Sequence, residues 1–133
     1  EETEFATELY KTLLNPDREI GDQQNIEPLA LSQTKGSTDV GDVSWKVPTS
    51  GVRIATWVPG TSSHSWQAVA AGGMSIGTKG STLAAKALAN SAVRLFEEPQ
   101  LIELAWEEHN INIGDHEYKA LLGDRNPPLD YRK

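Results

Sequence analysis

The stretch 51–73, GVRIATWVPGTSSHSWQAVAAGG, decides how the chain is read. Val52, Ile54, Thr56 and Val58 alternate with Arg53, Ala55 and Trp57. A period of two, rich in β-branched and aromatic residues, predicts a strand, and Pro59-Gly60 stops it in a tight turn. The turn delivers Thr61, Ser62, Ser63 and then His64, so an imidazole is expected just past the end of a core strand, between Trp57 and Trp66. Strand ends are where α/β proteins usually build sites. A lone loop histidine is more often a surface or hydrogen-bonded structural residue than a ligand, because zinc takes three or four ligands.

On the C-terminal side the same unit leads into helices. Ser75 or Thr78 starts the longest, running to about Phe96, with Leu83, Ala84, Ala87, Leu88, Ala92 and Leu95 facing inward and Lys79, Lys86, Asn90, Arg94 and Glu97 on the polar stripe. Pro99 resets the chain as a first-turn residue, and a second helix runs to about His109, which is placed to interact with that helix's C-terminal dipole. From Asn110 the chain turns polar, with one possible helical turn around Tyr118 to Leu122 and then Pro127-Pro128. Residues 123–133 read as an extended tail.

On the N-terminal side, Thr3 can cap a helix reaching about Leu14, with Phe5, Ala6, Leu9 and Leu13 as its apolar stripe and Asn15-Pro16 as its stop. Leu29-Ala30-Leu31 is a second short candidate strand. After it comes GSTDVGDVSWKVP, residues 36–48, whose glycines, aspartates, Ser37 and Thr38 can offer backbone N–H groups and hydroxyls to a ligand or simply make a pair of Asx-type turns. On chemistry alone the turn reading is the stronger. The lack of a glycine-rich run followed by Lys and Ser or Thr argues against a nucleotide-phosphate loop. The elements together predict an α/β fold: one domain over 1–133, with a partial sheet of few strands from residues 29–33 and 51–58, flanked by about three helices.

Composition narrows the function. At 133 residues the chain has room for one modest core, and only 38% of it is hydrophobic. A net charge of -7 without any Lys/Arg cluster argues against a nucleic-acid footprint and against anionic membranes. No run approaches the roughly 18 apolar residues of a membrane span, and EETEFATELY lacks the basic and apolar regions of a signal peptide, so a cytoplasmic location is expected. With no cysteine, any metal chemistry must use histidine and carboxylates.

Three blocks in register carry a resemblance: GSTDVGDVSW (36–45), WVPGTSSHSWQAVAAG (57–72) and SIGTKGSTLAAKALA (75–89). In this order and spacing they resemble the C-terminal part of the catalytic domain in aminobenzoyl-glutamate-hydrolase-like members of the zinc aminoacylase/carboxypeptidase family of metallopeptidases. The resemblance implies a metal-dependent amidohydrolase acting on N-acyl or aminobenzoyl amino acids. There, two metal ions, zinc or another divalent metal, are held by His and carboxylate ligands, and a Glu acts as general base. Matched block to block, His64 falls on the last metal ligand, and Gly36, Ser37, Thr38 and Asp39 fall on a segment bordering the substrate pocket. Thr78 and Ser81 depart from the His and Met that relatives commonly carry there.

The family's other ligands, its general base and its dimerisation domain belong upstream of these blocks, and no residue pattern here replaces them. The resemblance therefore implies a fragment or subunit that is inactive alone and binds no metal tightly by itself. It would either self-associate or dock onto a separately encoded N-terminal half, since an isolated piece of parallel sheet exposes edges and an apolar face. The alternative reading is a non-catalytic, self-associating remnant with a structural role. A third reading, an independent small-molecule binding module built on residues 36–42, would need a closed pocket.

Overall fold

The structure, a computed structural model, describes residues 1–30, 36 and 38–129. Its elements are helices α1 (Glu2–Tyr10), α2 (Val40–Ser44), α3 (Trp66–Gly72), α4 (Ser75–Glu97) and α5 (Gln100–Ile113), with a single 3₁₀ turn at Asp22–Gln24. They fall into two compact units, one made of Glu1–Gln33 with Gly51–Glu97 and the other of Thr34–Ser50 with Glu98–Lys133.

There is no strand among the described residues, so the expected α/β fold with a partial sheet is replaced by a helical one. Residues 52–58 lack regular secondary structure, as do Leu29 and Ala30, while Leu31 lies outside the described residues. The alternation shows in exposure from Ile54 onward: Ile54 and Thr56 are half-buried and Val58 is buried, while Arg53, Ala55 and Trp57 face outward, but Val52, the first of the alternating set, is exposed. Period-two patterning specifies which side chains turn inward, but a strand also needs a second backbone to complete its ladder. Here the segment meets a helix instead. A Cβ placed on Gly80 of α4 would collide with the Ala55 carbonyl oxygen and lie 2.8 Å from Thr56 Cγ2, so α4 approaches this backbone as closely as glycine allows.

In the first unit, the core is Leu9 of α1, Val58, and Ala71 of α3, with Phe5, Ala6, Tyr10, Ala70 and Ile76 packed around it. Ser65 caps α3, its hydroxyl oxygen accepting from the Ala68 N–H at 3.1 Å. Helix α3 packs against α4 at a glycine-only junction, where a Cβ on Gly77 would come within 2.9 Å of the Gly72 carbonyl carbon. Polar ties complete the unit. The Tyr10 hydroxyl donates to the Arg18 carbonyl at 2.8 Å, the Gln67 amide donates to the Thr12 carbonyl at 3.3 Å, and the Lys79 ammonium meets Glu2 at 2.6 Å. The Ser75 hydroxyl also donates to Glu2, which sets a carboxylate at the N-terminal end of α4.

Helix α1 is shorter at its C-terminal end than its apolar stripe predicts. It starts at Glu2, with Glu1 and not Thr3 at the cap, and it ends at Tyr10. Leu14 is exposed and Asn15 takes a left-handed conformation, φ 53°, ahead of Pro16. Helix α4 matches its expected span, but only its first turns are buried, at Gly77 and Gly80. Leu83, Leu88, Val93 and Phe96 are exposed, Phe96 by 86%.

In the second unit, α5 starts after Pro99 and continues past His109 to Ile113, where Gly114 ends it with φ 56°. The His109 ring packs edge-on against Trp106, one turn back, with ring centroids 5.3 Å apart. Helix α2 is one turn long, and a Thr38–Asp39 turn precedes it, the Thr38 hydroxyl oxygen accepting from the Val40 N–H at 3.4 Å.

Candidate functional site

His64 sits on a well-anchored turn. Val58, 2% exposed, fixes the entry. The Thr61 N–H then donates to the Val58 carbonyl at 3.1 Å, and Gly60 reverses the chain with φ 79° against Pro16. The Ser65 hydroxyl donates back to the Ser62 carbonyl at 2.7 Å while capping α3. Between these fixed points His64 is exposed and left-handed, φ 58°, a conformation that costs a non-glycine residue about 1–2 kcal/mol. The neighbouring Thr61 hydroxyl is buried without a hydrogen-bond partner.

Among the described residues no metal ligand set forms around His64. No group of three or more His, Asp or Glu side chains able to hold a metal ion occurs among the described residues. One imidazole is a single ligand of the three or four that zinc takes.

The second unit holds a shallow, open cleft of about 530 Å³, bordered on one side by Thr38, Gly41 and Asp42 of the 36–42 loop. Of the four residues expected at a substrate pocket, Thr38 lines this cleft; Gly36 and Asp39 are exposed, Asp39 at the start of α2, and Ser37 lies outside the described residues. The rest of the lining includes Asp42 and Trp45 from α2 and its C-terminal end, and His116, Tyr118 and Lys119 from the segment after α5. The Trp45 and Tyr118 rings lie nearly parallel, 11° apart in plane with centroids at 6.1 Å. His116 tilts against Trp45 at 4.6 Å.

Electrostatics tie these aromatics in place. The Tyr118 hydroxyl donates to Asp42, and this hydrogen bond, ahead of desolvation and the carboxylate's charge, raises the phenol above its ordinary pKa. The Lys46 ammonium lies 5.2 Å from the centroid of the Tyr118 ring, within cation–π range, and Lys119 meets Glu117 at 3.5 Å. Trp45, His116 and Tyr118 are not among the site residues the sequence suggests, whereas Asp42 closes the 36–42 loop of the binding-module reading. Trp45 ends the GDVSW run, but His116 and Tyr118 stand in a polar segment with no local period to mark them.

Over 73 residues, 55% of its length, the chain is 45% identical to one of the subunits of p-aminobenzoyl-glutamate hydrolase from Escherichia coli (strain K12). Across that stretch the two are related. The match spans 15% of the length of that relative. No family model matches the chain, and no solved structure does. No helix among the described residues is long and apolar enough to cross a membrane.

Proposed function

We propose that this chain is the C-terminal portion, or a separate subunit, of a cytoplasmic, metal-dependent amidohydrolase of the zinc aminoacylase/carboxypeptidase family that cleaves N-acyl or aminobenzoyl amino acids. The observation that carries this reading is the 45% identity over 73 residues with a hydrolase subunit. In it, His64 supplies one ligand to a divalent metal centre, and residues 36–39 form part of the substrate wall. The other ligands and the general base come from the remainder of the enzyme, so the chain alone is inactive. An exposed imidazole on an anchored turn supports the first role, and Thr38 on the rim of a cleft supports the second. The uncovered apolar side chains of α4 support a partner, as does the subunit designation of the relative.

The test is a chimera in which residues 36–89 of this chain, the span of the three resembling blocks, replace their counterpart in the Escherichia coli relative. The wild-type graft is expected to hydrolyse p-aminobenzoyl-glutamate, and His64→Ala within it to lower kcat/KM by at least about a thousandfold. A folded but inactive wild-type graft overturns the hydrolase reading. An active graft indifferent to His64→Ala overturns the ligand role alone.

A second reading, a non-catalytic remnant that self-associates, is favoured by the same exposed apolar side chains, Leu83, Leu88 and Phe96 of α4. It is separated from the first by sedimentation equilibrium of the chain by itself and with Leu83→Glu. The remnant reading expects a wild-type oligomer dispersed by the charge, and a monomer at micromolar concentration overturns it.

A further inference from the structure

We propose that residues 52–58 are a docking edge for a second copy of this chain, the two segments pairing antiparallel about Ala55. The side chains suit a ladder that the chain by itself does not supply. Val52, Ile54, Thr56 and Val58 are β-branched and Trp57 is aromatic, yet no residue from 51 to 58 takes part in a strand or bridge. Among the described residues, no backbone N–H or C=O of 52–57 meets another backbone group. Arg53, Ala55 and Trp57 face outward and Val52 is exposed as well, so a partner can reach the segment. Unpaired backbone of this kind is a template for another strand.

Two observations choose the partner. First, the stretch is complementary to itself. Antiparallel pairing centred on Ala55 sets Val52 opposite Val58, Arg53 opposite Trp57 and Ile54 opposite Thr56 of the other copy, each pair occurring twice about a two-fold axis with the small Ala55 on it. Arg53 and Trp57 both lie on the outward face, so a guanidinium meets an indole and no like charges are opposed. Second, one side of the segment is already occupied. The Ala55 carbonyl oxygen lies against Gly80 of α4, and in an extended chain the backbone groups of Ile54 and Thr56 point the opposite way, which leaves one edge for pairing. A single open edge closes at two copies, and Pro59 stops the ladder from running on. The ladder forms only between copies, while the chain alone keeps its helical fold. This contact rests on the self-associating reading and gives it a surface other than α4.

The test is cysteine cross-linking of the full chain, which has no cysteine of its own. Ala55→Cys places two thiols on directly opposed residues, with Cα atoms about 4.5–5.5 Å apart, inside disulfide range. Under mild oxidation at micromolar concentration it is expected to form a disulfide dimer at least about tenfold faster than Arg53→Cys or Trp57→Cys, whose thiols stand about 13 Å from their own copies along the ladder. An equimolar mixture of those two variants is expected to cross-link to the heterodimer. Ala55→Asp, which opposes two carboxylates on the axis, is expected to raise the dissociation constant in sedimentation equilibrium about tenfold with the helical circular dichroism unchanged. A monomer at micromolar concentration overturns the contact, and so do equal cross-linking rates for the three single cysteines. A dimer that Leu83→Glu disperses and Ala55→Asp does not also overturns it, and leaves the self-associating reading in place.

Discussion

In the unit of Glu1–Gln33 and Gly51–Glu97, Leu9, Val58, Ala68 and Ala71 are buried, and helices α1, α3 and α4 are each tied to another by packing or a hydrogen bond. In the unit of Thr34–Ser50 and Glu98–Lys133, no described residue is buried, and what joins α2 to the segment after α5 is a ring cluster and one phenol–carboxylate hydrogen bond. The contrast separates two ways of holding side chains in place. His64 is placed by backbone anchored on a core, whereas the Trp45 cleft is placed by the polar and aromatic side chains that also form its walls. Changes in the first unit should therefore act through stability, and changes in the second through local geometry and titration.

The largest effect is expected at Leu9, 4% exposed in a core of very few side chains. Leu9→Ala removes its contacts with Val58 and Ala71 and should cost about 2–5 kcal/mol. Circular dichroism should then show loss of helical signal at lower denaturant than in the unmutated chain; an unchanged midpoint would remove the core from one side of the comparison.

Next come two glycines, one from each unit. Gly80→Ala drives a Cβ into the Ala55 carbonyl oxygen, and overpacking of about 1–3 kcal/mol should outweigh the roughly 1 kcal/mol that alanine gains in a helix. Gly41 lies in α2 with nothing within 4 Å of a Cβ, so Gly41→Ala should instead raise helicity there. Opposite signs in denaturant midpoint and amide chemical shift sharpen the contrast, and equal signs break it.

A smaller effect is confined to the cleft. Because the Tyr118 pKa is raised in the folded chain, its contribution is present below the ordinary tyrosine value of about 10 and is lost as pH rises through the folded value. Site-resolved carbon NMR of Tyr118 should place its midpoint above that of free tyrosine, and Asp42→Asn should bring it back down.

The smallest is Glu2, whose carboxyl is held below its usual pKa first by the hydrogen bond from Lys79 and then by that from Ser75. With the folded value depressed, its stabilisation exists above the ordinary glutamate range and is lost as pH falls through the folded value. The pair is solvent-exposed, so Glu2→Gln should flatten only slightly the fall in unfolding midpoint between neutral and acid pH, and only at low salt. A large change would mean that this surface tie, and not the core, anchors α1 to α4.

What is legible in the residues is whatever repeats locally. Helix α4 matches its expected ends closely, and α5 its expected start, because an apolar stripe and Pro99 are signals carried by neighbours three or four residues apart. The inward set Ile54, Thr56 and Val58 is legible for the same reason. Thr38, which the resemblance places on a substrate-bordering segment and the residues themselves mark as a turn, lies on the rim of the cleft. Helix α3 goes unmarked because its Trp66 and Val69 are exposed and only two alanines are buried, too faint an apolar stripe to read.

By itself, then, the sequence determined the acidic, cysteine-free character of the chain, its long helices, and the inward turn of Ile54, Thr56 and Val58. Tertiary structure decided what those side chains meet. Residues 52–58 face the first turns of α4 where a second strand would have made a sheet, and Tyr118 reaches Asp42 across 76 residues of chain. Both outcomes depend on encounters between segments far apart in sequence, and local periodicity carries no record of the partner.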